Sequence, residues 1–228
     1  MNHRAVPFHY RWALVGLFVL ASLIAIAMEL LHAHLNIEVR YDFLVRNLGL
    51  AWVPLIAAGL ASAAAYQRLA RWLVALPFSL VWLVFFPNTF YMLTDFQHLE
   101  WASVYLPYWF DVMLIVWFAW TGLLLGVASL FLMHELVARI TRPWLGWLFA
   151  MAATLVGGFG VYLGRFVRWS SWDILHQPFS IFQDILEVFT DPLSNQPVVI
   201  FVVFYALLFL FVYVAVHLIG GALRQRVD

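Results

Sequence analysis

Long apolar runs, separated by short polar segments, recur along the whole chain. Each run approaches the roughly 20 apolar residues that a helix needs to cross a bilayer. The polar interruptions define six predicted spans, at about 12–31, 43–66, 72–91, 110–133, 144–163 and 198–218. The short alternating segments that mark membrane-spanning strands do not occur in the sequence. The pattern therefore predicts an all-α, polytopic helical bundle in which residues 1–228 form one integral membrane domain.

One further helix is predicted between the fifth and sixth spans. Residues 180–190 carry apolar side chains at helical spacing on one side and polar side chains on the rest. A short helix with this pattern is expected to lie along the membrane surface rather than to cross it.

Composition supports membrane insertion and restricts the chemistry. The chain is 65% hydrophobic and 11% charged, whereas soluble domains are about half apolar and about a quarter charged. The formal net charge is zero, so we expect the bilayer, and not nucleic acid, as a partner. The absence of cysteine excludes disulfides and cysteine-bound metals.

The arginines are distributed unevenly between the two sides that six spans define. Eight of the twelve arginines, but only two of the twelve acidic residues, fall on the side that holds both termini. Because cytoplasmic loops carry the excess of basic residues, both termini are predicted to be cytoplasmic. The segments after the first, third and fifth spans then face outward.

A polar stretch at 87–98 follows the third apolar run. If helix continues past Pro87, Asn88, Tyr91, Asp95 and His98 share one face. Asp95 and His98, one turn apart, could hold a divalent metal or act as an acid–base pair. The alternative is helix capping, with a carboxylate that orients a histidine at the water boundary.

A second polar cluster follows the fifth span. Arg165 and Arg168 lie one helical turn apart and predict a fork that binds carboxylate or phosphate. Asp173 either belongs to the same site or caps a helix that begins near Ser171.

Charged residues at span ends suggest where these clusters meet. Every charged residue at or inside the end of a span lies at the outward end of its helix. These residues are Glu29, Arg46, Asp95, Asp111, Arg165 and Arg168. Such groups usually face the interior of a bundle, paired or hydrated, which predicts an outward-opening polar cavity. The alternative is that they reach the interface as single side chains. Glu29 and Arg46 are expected to form an ion pair.

Two stretches, 86–99 and 164–173, resemble a known family. Their sequences are FPNTFYMLTDFQHL and GRFVRWSSWD. Together they resemble the bacterial membrane family called Domain of Unknown Function 1361, over roughly the second to the sixth span. The resemblance implies a bacterial source and a membrane location, without an assigned activity. It singles out Pro87, Asn88, Tyr91, Thr94, Asp95, His98, Arg165, Arg168, Ser171, Trp172 and Asp173.

These observations predict an inner-membrane protein with an outward-facing polar site. The acid–base candidates are Asp95, His98, Asp111 and Asp173. Arg165 and Arg168 would hold an anion. The site would be lined by Asn88, Tyr91, Thr94, Ser171 and Trp172.

Three functions are compatible with such a site. The first is an enzyme that acts on a lipid-linked or envelope substrate, with or without a divalent metal. The second is an assembly protein that docks another envelope protein. The third, a transporter, is disfavoured because the inner halves of the spans hold few polar groups and no inverted repeat is visible.

Overall fold

The chain folds into helices, as its apolar pattern predicts. A computed structural model describes residues 8–35, 41–65, 71–101, 105–169, 176–191 and 194–224. These residues contain no strand, so the all-α class is confirmed for the described part of the chain.

The helices follow one another with short connections. In chain order they are α1 Phe8–Leu35, α2 Asp42–Ala65, α3 Arg71–Phe85, α4 Asn88–Tyr91, a 3-10 helix Met92–Trp101, α5 Tyr108–Ile140, α6 Pro143–Tyr162, a π-helical turn Leu163–Val167, α7 Pro178–Thr190 and α8 Gln196–Arg224. Within the described part of the chain, six segments are long and apolar enough to cross a membrane: Trp12–Leu35, Asp42–Ala65, Leu73–Leu99, Tyr108–Ile140, Pro143–Val167 and Gln196–Leu223. The predicted number of spans is confirmed, and the fold is compatible with a multi-pass membrane protein.

The third span is not one continuous α-helix. Proline has no N–H for a helical hydrogen bond, and a turn at Phe86 and Pro87 separates α3 from α4. After Tyr91 the chain continues as a 3-10 helix with three residues per turn, so Asp95 and His98 lie one above the other. The α-helical face assumed from the sequence therefore ends at Tyr91.

Helix α5 lies at the centre of the bundle. Of its most apolar window, 67% is buried, against 39% or less in each of the other five spans. It packs against α1, α2, α6 and α8, and also against the 3-10 helix. Residues from every other predicted span can therefore meet on or beside α5.

The segment 86–92 joins two apolar clusters. Phe86 and Phe90 belong to a cluster with Trp82 and Phe209. Met92 belongs to a second cluster that surrounds α1, α2 and the first half of α5. The polar residues that follow Met92 are therefore attached to a segment that is fixed by packing on both sides.

Glycines allow the neighbouring helices to approach this segment closely. A Cβ atom placed at Gly160 of α6 would lie 2.4 Å from Pro87 Cγ, and one at Gly126 of α5 would lie 2.4 Å from Thr89 Oγ1. Gly164 lies against the Tyr91 ring, where a Cβ would be 3.2 Å from Cε2. The glycines at the end of the fifth span thus bring Arg165 beside the third span.

Candidate functional site

The guanidinium of Arg165 contacts three residues of the 3-10 helix. Its Nε donates to Thr94 Oγ1 at 2.7 Å, its Nη2 donates to Asp95 Oδ1, and its Nη1 lies 3.3 Å from His98 Nε2. The guanidinium carbon lies 4.4 Å from the centre of the Tyr91 ring, at the distance of a cation–π contact. We call these five residues the Arg165 cluster.

A break in the helical pattern positions Arg165. The π-helical turn ends at Arg168, whose backbone is left-handed (φ 67°, ψ 27°), a conformation that costs a non-glycine residue about 1–2 kcal/mol. The N–H of Trp169 donates to Leu163 O at 3.1 Å and closes the turn. Arg168 is exposed, whereas the side chain of Arg165 is 9% exposed. The two arginines thus lack the regular α-helical relationship assumed from the sequence.

Asp95 is buried and has a partner for each carboxylate oxygen. Its side chain is 0% exposed. Oδ1 accepts from Arg165, and Oδ2 accepts from Asn47 Nδ2 at 3.3 Å. A buried carboxylate needs such compensation because its transfer out of water is strongly unfavourable. The contacts connect α2, the 3-10 helix and the end of the fifth span.

The guanidinium also occupies the position that a metal shared by Asp95 and His98 would need. His98 Nε2 lies 3.9 Å from Asp95 Oδ1, and Arg165 contacts both atoms. A cation between them would be repelled by the arginine. Within the described ranges, no group of three or more histidine or acidic side chains could hold a metal. Asp173, with Ser171 and Trp172, lies outside these ranges, so its proposed role stays a prediction.

Asp111 lies in a second polar cluster, with His32 of α1. His32 Nε2 is 2.9 Å from Asp111 Oδ1, and both side chains are 0% exposed. The ring nitrogen does not point at the oxygen as a directed hydrogen bond requires, so the contact is electrostatic. We call His32, Asp111 and Tyr41 the His32 cluster.

Tyr41 connects the two clusters. Its ring centre lies 4.9 Å from that of His32, and its hydroxyl donates a long hydrogen bond of 3.5 Å to the backbone oxygen of His98. Burial, with smaller contributions from Asp111 and Tyr108, raises the pKa of Tyr41 to about 12. The hydroxyl therefore stays protonated at neutral pH and remains a donor.

Comparison with known proteins places the chain in a family. A family model described as "Protein of unknown function (DUF1361)" matches residues 46–212. The chain belongs to this family. Searches of curated proteins and of solved structures found no match. The matched range of the DUF1361 protein contains Asp95, Asp111 and Arg165, whereas His32 and Tyr41 precede it.

The structure brings together some of the residues predicted for the DUF1361 site. Thr94, Asp95, His98, Tyr91 and Arg165 form one cluster. The other described candidates take different positions. Asn88 Nδ2 donates to Phe85 O at 3.1 Å, Arg168 is exposed, and Asp111 contacts His32.

Sequence reasoning missed three residues of these clusters. Asn47, His32 and Tyr41 each supply a contact described above. The only available signal was a polar side chain inside or beside an apolar run. The expected ion pair between Glu29 and Arg46 is absent from the charged pairs within 4.0 Å among the described residues.

A third polar cluster lies away from Arg165, toward the C-terminal ends of α5 and α8. His134 Nδ1 is 2.5 Å from Tyr213 Oη. The His217 ring is parallel to that of His134, with 6.0 Å between centres, and the Trp147 ring packs edge-on against both. This end of the DUF1361 bundle is therefore more polar than the sequence suggested.

Proposed function

We propose that this DUF1361 protein spans the bacterial inner membrane with both termini in the cytoplasm, and that its Arg165 cluster recognises a phosphate-bearing, lipid-linked envelope substrate. The observation that carries the proposal is the fixed guanidinium of Arg165, held by Thr94, Asp95 and His98 at one end of the bundle. The arginine distribution supports an outward orientation of that end.

The fixed guanidinium retains hydrogen-bonding capacity. The contacts with Thr94, Asp95 and His98 use one N–H on each of its three nitrogens, and a guanidinium has a second N–H on both Nη atoms. Phosphate oxygens accept paired donors of this geometry. Because the side chain is already ordered, binding loses little conformational entropy. Exposed Arg168, at the end of the same turn, supplies a second positive charge.

The position of the cluster favours a lipid-linked anion. The 3-10 helix is the end of a segment that is long and apolar enough to cross a membrane, so the cluster would lie where phosphates and hydrocarbon meet. A substrate with a polyprenyl or acyl chain could keep that chain in the bilayer while its phosphate contacts the arginines. An enzyme that acts on such a substrate is the first candidate, and His98 of the cluster is 15% exposed.

A non-enzymatic assembly role is the second candidate. It is favoured by one observation, namely that both carboxylate oxygens of Asp95 are engaged. A carboxylate with both oxygens engaged has a structural role. The surface around it would then be the part that contacts a partner protein. A photo-crosslinker at position 98 that captures a defined envelope protein would support this role.

The orientation can be tested by cysteine labelling. The chain has no cysteine, so single-cysteine variants have no background reaction. We expect Gln97→Cys, at an exposed position of the 3-10 helix, to react with a membrane-impermeant maleimide in intact cells. Thr141→Cys, exposed between α5 and α6, should react only after permeabilisation. The reverse pattern would contradict the proposed orientation.

Anion recognition can be tested with a polyprenyl phosphate and the matching polyprenol. We expect the phosphate to bind purified protein at least about tenfold more tightly than the alcohol, since a charge-assisted hydrogen bond contributes about 1.5–3 kcal/mol. Arg168→Gln should weaken phosphate binding by about tenfold without changing alcohol binding. The control is Arg142→Gln, an exposed arginine before α6.

Dissociation constants from native mass spectrometry would decide between the outcomes. Equal affinity for phosphate and alcohol contradicts anion recognition. If Arg142→Gln loses as much affinity for the phosphate as Arg168→Gln does, the arginines act through overall charge and not through a site.

A further inference from the structure

Among the described residues, two imidazole–carboxylate pairs lie at the end that carries Arg165, and they differ in geometry. His98 Nε2 lies 3.9 Å from Asp95 Oδ1 and 3.3 Å from the arginine, which keeps this nitrogen occupied. His32 Nε2 lies 2.9 Å from Asp111 Oδ1, and the pair is completely buried. The second pair has the shorter nitrogen–oxygen distance, and its contact is electrostatic, without a directed hydrogen bond.

The second ring nitrogen of His32 distinguishes this pair further. Nδ1 is buried and has no hydrogen-bond partner among the described residues. Leaving such a group unsatisfied costs about 1–3 kcal/mol, and buried polar atoms of this kind are uncommon in folded proteins. The carboxylate beside Nε2 favours a proton on that nitrogen, which leaves the lone pair on Nδ1 as an acceptor.

We propose that His32 is the proton acceptor of the site, that Asp111 orients it, and that the group it deprotonates is a hydroxyl of water or of a hydroxyl-bearing co-substrate. The inference rests on the proposed function, because the base would act on a substrate that the Arg165 cluster holds. Tyr41 provides the connection, since it contacts the His32 ring and the backbone of His98.

The proton transfer is balanced within the pair. The O–H bond breaks, the N–H bond forms at Nδ1, and the electron pair stays on oxygen, which becomes the nucleophile. The positive charge on the ring is compensated by Asp111. This oxygen forms a bond to the phosphorus of the substrate, and the bond between phosphorus and the leaving oxygen breaks. The leaving oxygen then takes the proton from Nδ1, so His32 returns to its neutral form and no further reactant is needed.

The groups around His32 come from three elements. Asp111 belongs to α5, Tyr41 precedes α2, and Phe110 stacks on the ring with 6.3 Å between centres. Glu29 lies one turn earlier on α1 and is 4% exposed. Asp111 is the only acidic side chain within 4.0 Å of His32 among the described residues, so it has the largest influence on which ring nitrogen carries the proton.

Two measurements on the wild-type protein test the inference. The first is magic-angle-spinning NMR of the ¹⁵N-histidine-labelled protein in lipid bilayers, which reports the protonation of each ring nitrogen. We expect the ring proton of His32 to lie on Nε2, with Nδ1 unprotonated. The second is carbethoxylation of folded protein by diethylpyrocarbonate, followed by peptide mass spectrometry, in which we expect His32 to react more slowly than exposed His176.

Either of two results overturns the proposal. One is a His32 ring that carries a proton on Nδ1, because such a ring is either a permanent ion pair or the opposite tautomer. The other is the absence of modification at His32 after His176 has reacted completely, because a base that no reagent reaches cannot meet a substrate. His34→Gln and His176→Gln, both at exposed positions, assign the spectra without touching the pair.

Asp111→Asn adds a test of the orienting role. We expect this variant, which keeps the size of the side chain, to give a mixture of both His32 tautomers. If it does not fold, the two wild-type measurements still decide. Neither measurement uses a phosphate ligand, so failure of polyprenyl phosphate to bind counts against the proposed function and not against the state of His32.

Discussion

Arg165→Gln is expected to lower the free energy of unfolding by about 3–5 kcal/mol, the usual effect of removing one partner from a buried ion pair. The reason is Asp95, whose side chain is 0% exposed and would keep, among the described residues, only the amide of Asn47 as a hydrogen-bond partner. The contacts of Arg165 with Thr94 and Tyr91 would be lost as well. Unfolding of detergent-solubilised protein, followed by circular dichroism, measures the change.

The matched control is Arg168→Gln, which removes the same type of side chain three residues later. Arg168 is exposed, so its replacement should change stability by no more than about 0.5 kcal/mol. The double variant Asp95→Asn with Arg165→Gln should recover part of the loss, since no unpaired charge remains buried. Equal effects of the two arginine variants would show that the ion pair does not stabilise the fold.

The spanning helices were predictable because each one corresponds to an apolar run, and such a run can be recognised from local composition alone. The pairing of Asp95 with Arg165 was not, although both residues were identified as candidates. They are 70 residues apart in the chain, and the contact depends on a π-helical turn and on glycines that bring α6 close to Pro87. Neither feature follows from residue spacing in a regular helix.

The predicted ion pair between Glu29 and Arg46 failed for a related reason. Both residues lie near the ends of consecutive spans, and this fixes their depth but not the direction of their side chains. Helix α1 packs more extensively on α5 than on α2. The polar residue that α1 contributes to a neighbour is accordingly His32, which meets Asp111 of α5.

Gly160→Ala is expected to destabilise the protein by about 1–3 kcal/mol, as overpacking of a filled interior does. The added Cβ would lie 2.4 Å from Pro87 Cγ and 2.7 Å from its Cβ. The proline ring is rigid, so the clash must be relieved by moving α6 away from the third span. The measurement is again the free energy of unfolding in detergent.

Gly59→Ala of α2 is the matched control, because a Cβ at Gly59 would meet nothing within 4 Å. It should be neutral or stabilising by up to about 1 kcal/mol, since alanine favours a helix over glycine. Movement of α6 would also shift Arg165, which follows Gly160 by little more than one turn. Gly160→Ala should therefore be non-additive with Arg165→Gln, whereas Gly59→Ala should be additive. Additivity for both glycine variants would mean that the close approach at Pro87 does not position the arginine.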